Sequence, residues 1–100
     1  MYQINHENIN NKPSVFATSR VGKELDLRIA LIIMDILTDE NLLDDFQIFE
    51  IEDKSFKRKD QYEERNYKLN FNLKEPTKVW AIRDGYPHNR YWTILFPEEY

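Results

Sequence analysis

The chain has 100 residues, 41% of them hydrophobic and 14% aromatic, which fits one domain with one core and leaves no room for a second. Its 18 acidic and 14 basic residues give a formal charge of -4, which argues against a generic nucleic-acid binder because phosphate binding needs a basic excess. The absence of cysteine excludes disulfides, thiolate zinc sites and cysteine nucleophiles, and is consistent with a reducing cytoplasm.

The N-terminal segment, residues 1–13, is polar and rich in asparagine, which predicts a flexible or irregular arm. Residues 14–100 are expected to form the single domain. The β-branched and aromatic stretch Ser14 to Ser19 predicts a first strand, and Gly22 a turn after it. No segment approaches the ~18 apolar residues of a membrane span, and the N-terminus does not read as a signal peptide, so we expect a cytoplasmic protein.

The segment from Leu25 to Leu37 predicts the main α-helix, because it is rich in helix formers and lacks glycine and proline. At 100° per residue, its apolar side chains make two stripes. The first contains Leu25, Ile29, Ile32, Ile33 and Ile36, and the second contains Leu27, Leu31 and Met34. A helix with so little polar surface is normally covered on more than one side, so the second stripe is a candidate partner-binding surface.

Four further strands are predicted after the helix. They are 46–53, 66–73, 78–84 and 91–96. Strand 66–73 alternates apolar and polar residues without a break, as a half-buried antiparallel strand does. The first of the four has apolar residues at both parities, which indicates either a bulge or two covered faces, and the last two are typical of central strands. The basic cluster Lys54, Lys57, Arg58 and Lys59 is interpreted as a solvated loop.

These elements predict an α+β domain: a mostly antiparallel sheet of about five strands, with one main α-helix packed on one face. A helix of this length, about 20 Å long, covers one face of such a sheet but not both. The remaining apolar side chains must meet the N-terminal arm, the loop at 54–64 or another molecule, and exposed apolar patches commonly mark interaction sites.

The stretch DGYPHNR, Asp84 to Arg90, holds the most reactive side chains close together. Asp84 could orient His88 as a general base, but no nucleophile or oxyanion loop lies near in sequence. Asp-Gly followed by Tyr-Pro is typical of a turn between strands. We therefore expect a hairpin whose tip, Tyr86, His88 and Arg90, contacts a partner, with a small hydrolase using Asp84 and His88 as the least favoured alternative.

Neither a metal site nor a cofactor is predicted, since the chain has only two histidines, His6 and His88, and no metal-binding motif. If gathered on one face, Glu50, Glu52 and Asp53 would imitate a phosphate backbone and bind a basic nucleic-acid enzyme, together with the paired acids Asp44 and Asp45, Glu63 and Glu64, and Glu98 and Glu99. The aromatic residues do not indicate a platform for single-stranded nucleic acid, because too few basic residues accompany them. Direct nucleic-acid binding is therefore not expected.

Three stretches of the chain, FATSRVGKELDLRIALIIMDIL, DDFQIFEIE and VWAIRDGYPHNRYWTILFPEEY, resemble a family of low-GC Gram-positive bacteria and their phages, domain of unknown function 960. The matching features are Phe16 to Thr18 with Arg20, the helix from Leu25, Phe49 with Glu50, and the apolar strand before the terminal Glu-Glu-Tyr. The resemblance implies a compact domain encoded by bacteria, prophages or phages and located in the cytoplasm of the bacterial host cell. It implies no catalytic residue, since none is assigned to the family.

The sequence therefore predicts a non-enzymatic protein-binding module, encoded by a phage or mobile element. A sharper form of this hypothesis is an inhibitor of a host nucleic-acid enzyme such as a CRISPR nuclease. The alternative is a structural homodimer joined through Leu27, Leu31 and Met34 or through the uncovered sheet face.

Overall fold

A computed structural model of the chain describes residues 13–85 and 89–100, and within them it shows an α+β fold with six strands and two α-helices. The strands are β1 (Ser14–Ala17), β2 (Phe46–Glu52), β3 (Ser55–Lys59), β4 (Glu64–Lys68), β5 (Thr77–Asp84) and β6 (Tyr91–Leu95). The helices are α1 (Ser19–Glu24) and α2 (Leu27–Asp39), and a 3-10 turn follows at Pro97–Glu99. The predicted class is confirmed, but a sixth strand and a second, short helix were not predicted. The predicted N-terminal arm lies, apart from Pro13, outside the described residues.

The strands form a single mixed sheet in the order β1-β6-β5-β2-β3-β4, as far as the described residues show. β1 runs parallel to β6, and the other neighbouring strands run antiparallel. Val21 of α1 and Ile29 of α2 belong to the same core cluster, so both helices lie on one face of the sheet.

The core lies between α2 and that face. Phe49 and Ile51 of β2 point into it, together with Val79 and Ala81 of β5, and all four are almost completely buried. The pairing of β2 with β3 and β5 is continuous, without a bulge. The apolar residues at both parities of β2 therefore reflect a strand with apolar side chains on two faces, of which α2 covers one.

The chain forms helix α1 where the sequence predicted a turn at Gly22. Thr18 begins the helix: its side-chain oxygen accepts a hydrogen bond from the backbone N–H of Val21, at 3.2 Å. Such a cap supplies one of the partners that a helix N-terminus lacks. Arg20 then ties the helix to the C-terminal segment, because Nη2 donates to Glu98 at 2.9 Å and the guanidinium lies over the Phe96 ring.

Helix α2 begins at the carboxylate of Asp26. Oδ1 accepts from the backbone N–H of Arg28 at 2.9 Å, and Oδ2 lies 2.7 Å from Arg28 Nη2. The hydrogen bonds from the Arg28 side chain and backbone lower the pKa of Asp26 to about 2. A carboxyl whose pKa is lowered by folding contributes stability above its unfolded pKa, which is about 3.9, and this contribution is lost as the pH falls through its folded value.

Asp26→Asn should therefore flatten the loss of stability between about pH 4 and pH 2. Asparagine caps helices as well as aspartate does, so the start of α2 is retained and the titrating charge alone is removed. The measurement is the urea midpoint at a series of pH values. Arg28→Gln, which keeps the carboxylate but removes its charged partner, should flatten the same region. An unchanged slope in both variants would contradict this role of Asp26.

Strand β3 lies where a solvated loop was predicted, and its Arg58 is buried. The side chain of Arg58 is 0% exposed. Its Nη1 donates to Gln47 Oε1 at 2.7 Å, and its Nη2 donates to Glu63 Oε2 at 2.6 Å. Asp60, whose side chain is 2% exposed, lies 3.3 Å from Nη1. The basic cluster is therefore an amphipathic strand, with Arg58 on the core face and its two lysine neighbours on the other.

Strand β4 ends at Lys68, so the predicted strand over 66–73 is wrong for most of its length. Leu69 is buried, and Phe71 and Leu73 pack against the core from a segment without strand structure. The guanidinium of Arg28 lies over the Phe71 ring, 4.0 Å from its centre. Leu69, Phe71 and Leu73 were correctly predicted to face inward. Their segment packs against the edge of the helical layer, and its backbone does not extend the sheet.

The antiparallel strands β5 and β6 are joined by the segment that was predicted to be a hairpin. Gly85 has φ +88°, and a Cβ there would lie 2.6 Å from the Asn89 carbonyl oxygen, so this position requires glycine. Within the described ranges, no helix has the length and apolar character needed to cross a membrane.

Candidate partner-binding surface

Helix α2 leaves a row of apolar side chains facing outward. Leu27, Leu31 and Met34 are 71%, 51% and 40% exposed. Thr38 continues the row, and its hydroxyl donates to the Met34 carbonyl at 2.9 Å, so that its polar group is already satisfied. These four residues are here called the helix stripe. The predicted second stripe thus lies on one face of α2, and the described part of the chain covers its side chains only in part.

The helix stripe is bordered differently on its two sides. On one side lie Arg28 and Asp35, about two turns of helix apart. Arg28 uses Nε and Nη2 to bind Asp26, at 3.0 and 2.7 Å. Asp35 is exposed and forms no ion pair among the described residues. On the other side lies Ala30, whose small side chain allows close approach of another backbone.

The face of the sheet opposite α2 is also partly apolar, and it is here called the open sheet face. Trp80 makes edge-to-face contacts with Phe46 and Tyr100, with ring centres 4.9 and 5.7 Å away. Ile48 and Ile82 share this face and are half-buried. The C-terminal segment covers part of it, and both α-helices lie on the other side.

Of Glu50, Glu52 and Asp53, which were proposed as part of a phosphate mimic, Glu50 is compensated by two lysines. Glu50 lies on the open sheet face between Lys59 and Lys78, at 3.2 and 3.4 Å. The hydrogen bond from Lys59 is the main reason that the pKa of Glu50 is lowered. Glu52 lies at the end of the same strand, and Asp53 lies in the turn after it.

The hairpin tip is described only in part, because Tyr86 and His88 lie outside the described residues. Asp84 ends β5, opposite Tyr91 in the sheet register. Arg90 Nη2 lies 2.6 Å from Asp45 Oδ1, and the same oxygen accepts from Arg83. The geometry around Arg90 is therefore that of an ion-pair cluster which fixes the base of the hairpin.

Comparison with protein-family models, curated proteins and solved structures finds no match. The resemblance to domain of unknown function 960 stays a prediction.

A groove of about 700 Å³ lies between α1, the segment 73–78 and the C-terminal turn. Its lining is mostly polar and contains no histidine, cysteine or serine. Arg20 crosses one side of it, bound to Glu24 and Glu98. Among the described residues there is also no group of three or more histidines and acids that could hold a metal ion. The helix stripe therefore stays the candidate partner-binding surface.

Two features of these surfaces were not found from the sequence. The first is the buried Arg58 network, which draws on residues far apart in the chain. The second is the Phe46, Trp80 and Tyr100 cluster, because the sequence does not show which parity of β2 and β5 faces away from the helix. The alternation of each strand was visible, but the assignment of its faces required the position of α2.

Proposed function

We propose that the chain is a non-enzymatic protein-binding module, and that its helix stripe binds an α-helix of a partner protein. The observation that carries the proposal is the exposure of Leu27, Leu31 and Met34 on a helix whose opposite side is fully packed. Large exposed apolar rows of this kind are typical of interaction sites.

The spacing of the stripe favours a helix as the occupant. Its members follow one another at four, three and four residues, which is the repeat of a two-helix seam. The row is about 17 Å long at 1.5 Å per residue and about one side chain wide. A groove-binding loop or a flat surface would need a broader apolar area, whereas a second helix needs only such a row.

Burial of the stripe would supply a favourable free energy. Complete burial of a leucine or methionine side chain is worth about 1.5–3 kcal/mol relative to full exposure. The stripe has three such side chains, each already partly covered, so only a fraction of this amount remains for binding. The resulting complex should be reversible.

The inhibitor form of the hypothesis receives less support than the apolar form. Phosphate mimicry needs carboxylates without nearby cations, but Glu50 lies between two lysines. An origin in a phage and the inhibition of a nucleic-acid enzyme stay predictions from the sequence, as does the hydrolase alternative with Asp84 and His88.

A photo-crosslinking amino acid tests the proposed surface. Leu31→p-benzoylphenylalanine places the reactive group on the stripe, and the same replacement at Tyr62, 62% exposed in the β3–β4 turn, is the matched control. Irradiation of the pure protein and of a bacterial lysate should give adducts at position 31 and not at position 62. The crosslinked peptide, identified by mass spectrometry, should belong to an apolar helix.

Two results would contradict the proposal. One is the absence of any adduct at position 31 in both samples, and the other is equal labelling at positions 31 and 62.

A further inference from the structure

We infer that the partner helix is α2 of a second copy of this chain, packed antiparallel across a two-fold axis. The inference rests on the proposed function, because it assigns the occupant of the same helix stripe. It commits to one register and to one pair of charges, and both can be tested by substitution.

The stripe is complementary to itself when one helix is reversed. In an antiparallel pair, Leu31 of one copy faces Met34 of the other, and Leu27 faces Thr38. Each layer then combines a large side chain with an equal or smaller one, which is how facing positions interdigitate in helix pairs. The same contacts occur twice, as a two-fold interface requires.

The charges beside the stripe select the antiparallel arrangement. Arg28 and Asp35 lie on the same side of the row, about 70–90° from its middle. In an antiparallel pair, these sides face each other, so Arg28 of each copy meets Asp35 of the other. In a parallel pair, the same side would face Ala30 and Leu37, which offer no charge. Opposite charges at such flanking positions set partner choice and orientation.

The intramolecular contacts of the two residues leave room for this pairing. Arg28 binds Asp26 through Nε and Nη2, and its Nη1 donates no hydrogen bond within the described residues. Asp35 is an exposed carboxylate without an ion-pair partner in that same part of the chain. The dimer would supply Asp35 with an ion-pair partner, and would add a second one to Arg28, which already binds Asp26 and lies over the Phe71 ring.

The interface is small, so the dimer should be weak. Stable interfaces bury roughly 800 Å² per partner, whereas a strip about 20 Å long and 10 Å wide offers only a fraction of this. We expect dissociation constants of roughly 10 μM to 1 mM.

A charge-swap experiment tests the inference by sedimentation equilibrium, at protein concentrations up to about 1 mM. Asp35→Arg makes both flanking pairs repulsive, because two arginines then face each other across the interface, and Arg28→Glu does the same with two acids. Each variant alone should dimerise about tenfold more weakly than the wild type. In an equimolar mixture of the two variants, both flanking pairs of a mixed dimer join an arginine of one copy to an acid of the other, and a mixed dimer of near wild-type affinity should form.

Two controls accompany these variants. Leu31→Glu places a charge in the middle of the stripe and should give a monomer at all concentrations. Asp53→Arg makes the same charge change as Asp35→Arg, but in the β2–β3 turn, and should leave the dimer unchanged. Leu31, Asp35 and Asp53 are exposed and form no ion pair within the described residues. Their variants therefore remain informative even if Arg28→Glu unfolds the protein.

The results separate this inference from the proposed function. A wild type that is monomeric up to about 1 mM, or a dimer that survives Leu31→Glu, would overturn the second copy as partner. Folded Asp35→Arg and Arg28→Glu variants that fail to pair when mixed would overturn the antiparallel register. If an adduct from position 31 to an apolar helix of a different protein accompanies such a result, the proposed function stands and the inference alone fails.

Discussion

Arg58→Met should lower the free energy of unfolding by about 3–5 kcal/mol, the range for removal of one partner from a buried ionic cluster. The guanidinium is fully buried and binds Gln47 and Glu63, with Asp60 at 3.3 Å. Methionine fills a similar volume, so that the loss of charge dominates over the loss of packing. The measurement is urea denaturation at neutral pH, followed by circular dichroism.

Arg65→Met is the matched control. Arg65 lies directly opposite Arg58 in the pairing of β3 with β4, but its side chain is 59% exposed and 3.8 Å from Glu63. An exposed pair of this kind contributes about 0–1 kcal/mol. Equal losses in the two variants would contradict a special role for the buried arginine.

The pH dependence of the same comparison tests whether Arg58 compensates the charge of Asp60. Burial alone raises the pKa of Asp60, but hydrogen bonds from Gln47 and two backbone amides and the charge of Arg58 hold it below its usual value. The stability that follows from this lowering is present above the unfolded pKa and is lost as the pH falls through the folded pKa. The difference between the wild type and Arg58→Met should therefore narrow in acid, as Asp60 becomes protonated.

The buried arginine also shows what the sequence could not reveal. Four basic residues within six positions, followed by three acids, are typical of a solvated loop. Lys57, Arg58 and Lys59 are all basic, so the sequence shows no apolar alternation there. Neither the strand nor the inward direction of the Arg58 side chain could be predicted from it. Its partners come from β2 and the β3–β4 turn, and only the register of the sheet brings them together.

The regular apolar patterns predicted the structure better where the pattern depends on one element alone. The helix stripe on α2 follows from a fixed rotation of 100° per residue, so the sequence correctly placed Leu27, Leu31 and Met34 on one side of the helix. The alternation over 66–73 predicted the inward-facing side chains but not the backbone structure, because a β-ladder also needs a neighbouring strand with free backbone groups. The sequence thus predicts the burial of side chains more securely than it predicts which backbone segments pair in the sheet.

In the candidate site too, the sequence predicted what depends on one helix but not what depends on strand pairing. Leu27, Leu31 and Met34 were found because their positions depend on one helix alone. The acids from Glu50 to Asp53 were grouped by sequence proximity, but strand alternation and two lysines from neighbouring strands change their surroundings. The pairing of strands that are distant in the chain decides which charges lie side by side on a sheet, and this pairing cannot be predicted from composition.

The two tryptophans should distinguish the two faces of the sheet. Trp92→Ala should cost about 3–5 kcal/mol, the range for deletion of a large core side chain. Trp92 is 0% exposed and lies on the core face, under the guanidinium of Arg83 at 4.7 Å. Trp80→Ala removes an equal side chain from the open sheet face and should cost only about 1–2 kcal/mol, because Trp80 is half-buried against Phe46 and Tyr100.

Urea denaturation at low protein concentration measures both losses, with Trp92→Phe as a milder variant if Trp92→Ala does not fold. Trp80 lies in β5 and Trp92 in β6, and both of these strands have apolar residues at both parities. The sequence alone therefore predicts equal burial for the two tryptophans. An equal loss would mean that the open sheet face is as completely covered as the core face, which would contradict the layer order described above. A loss that is smaller for Trp80 would show that α2 covers one face only, and that the apolar side chains opposite it contribute little to the stability of the isolated chain.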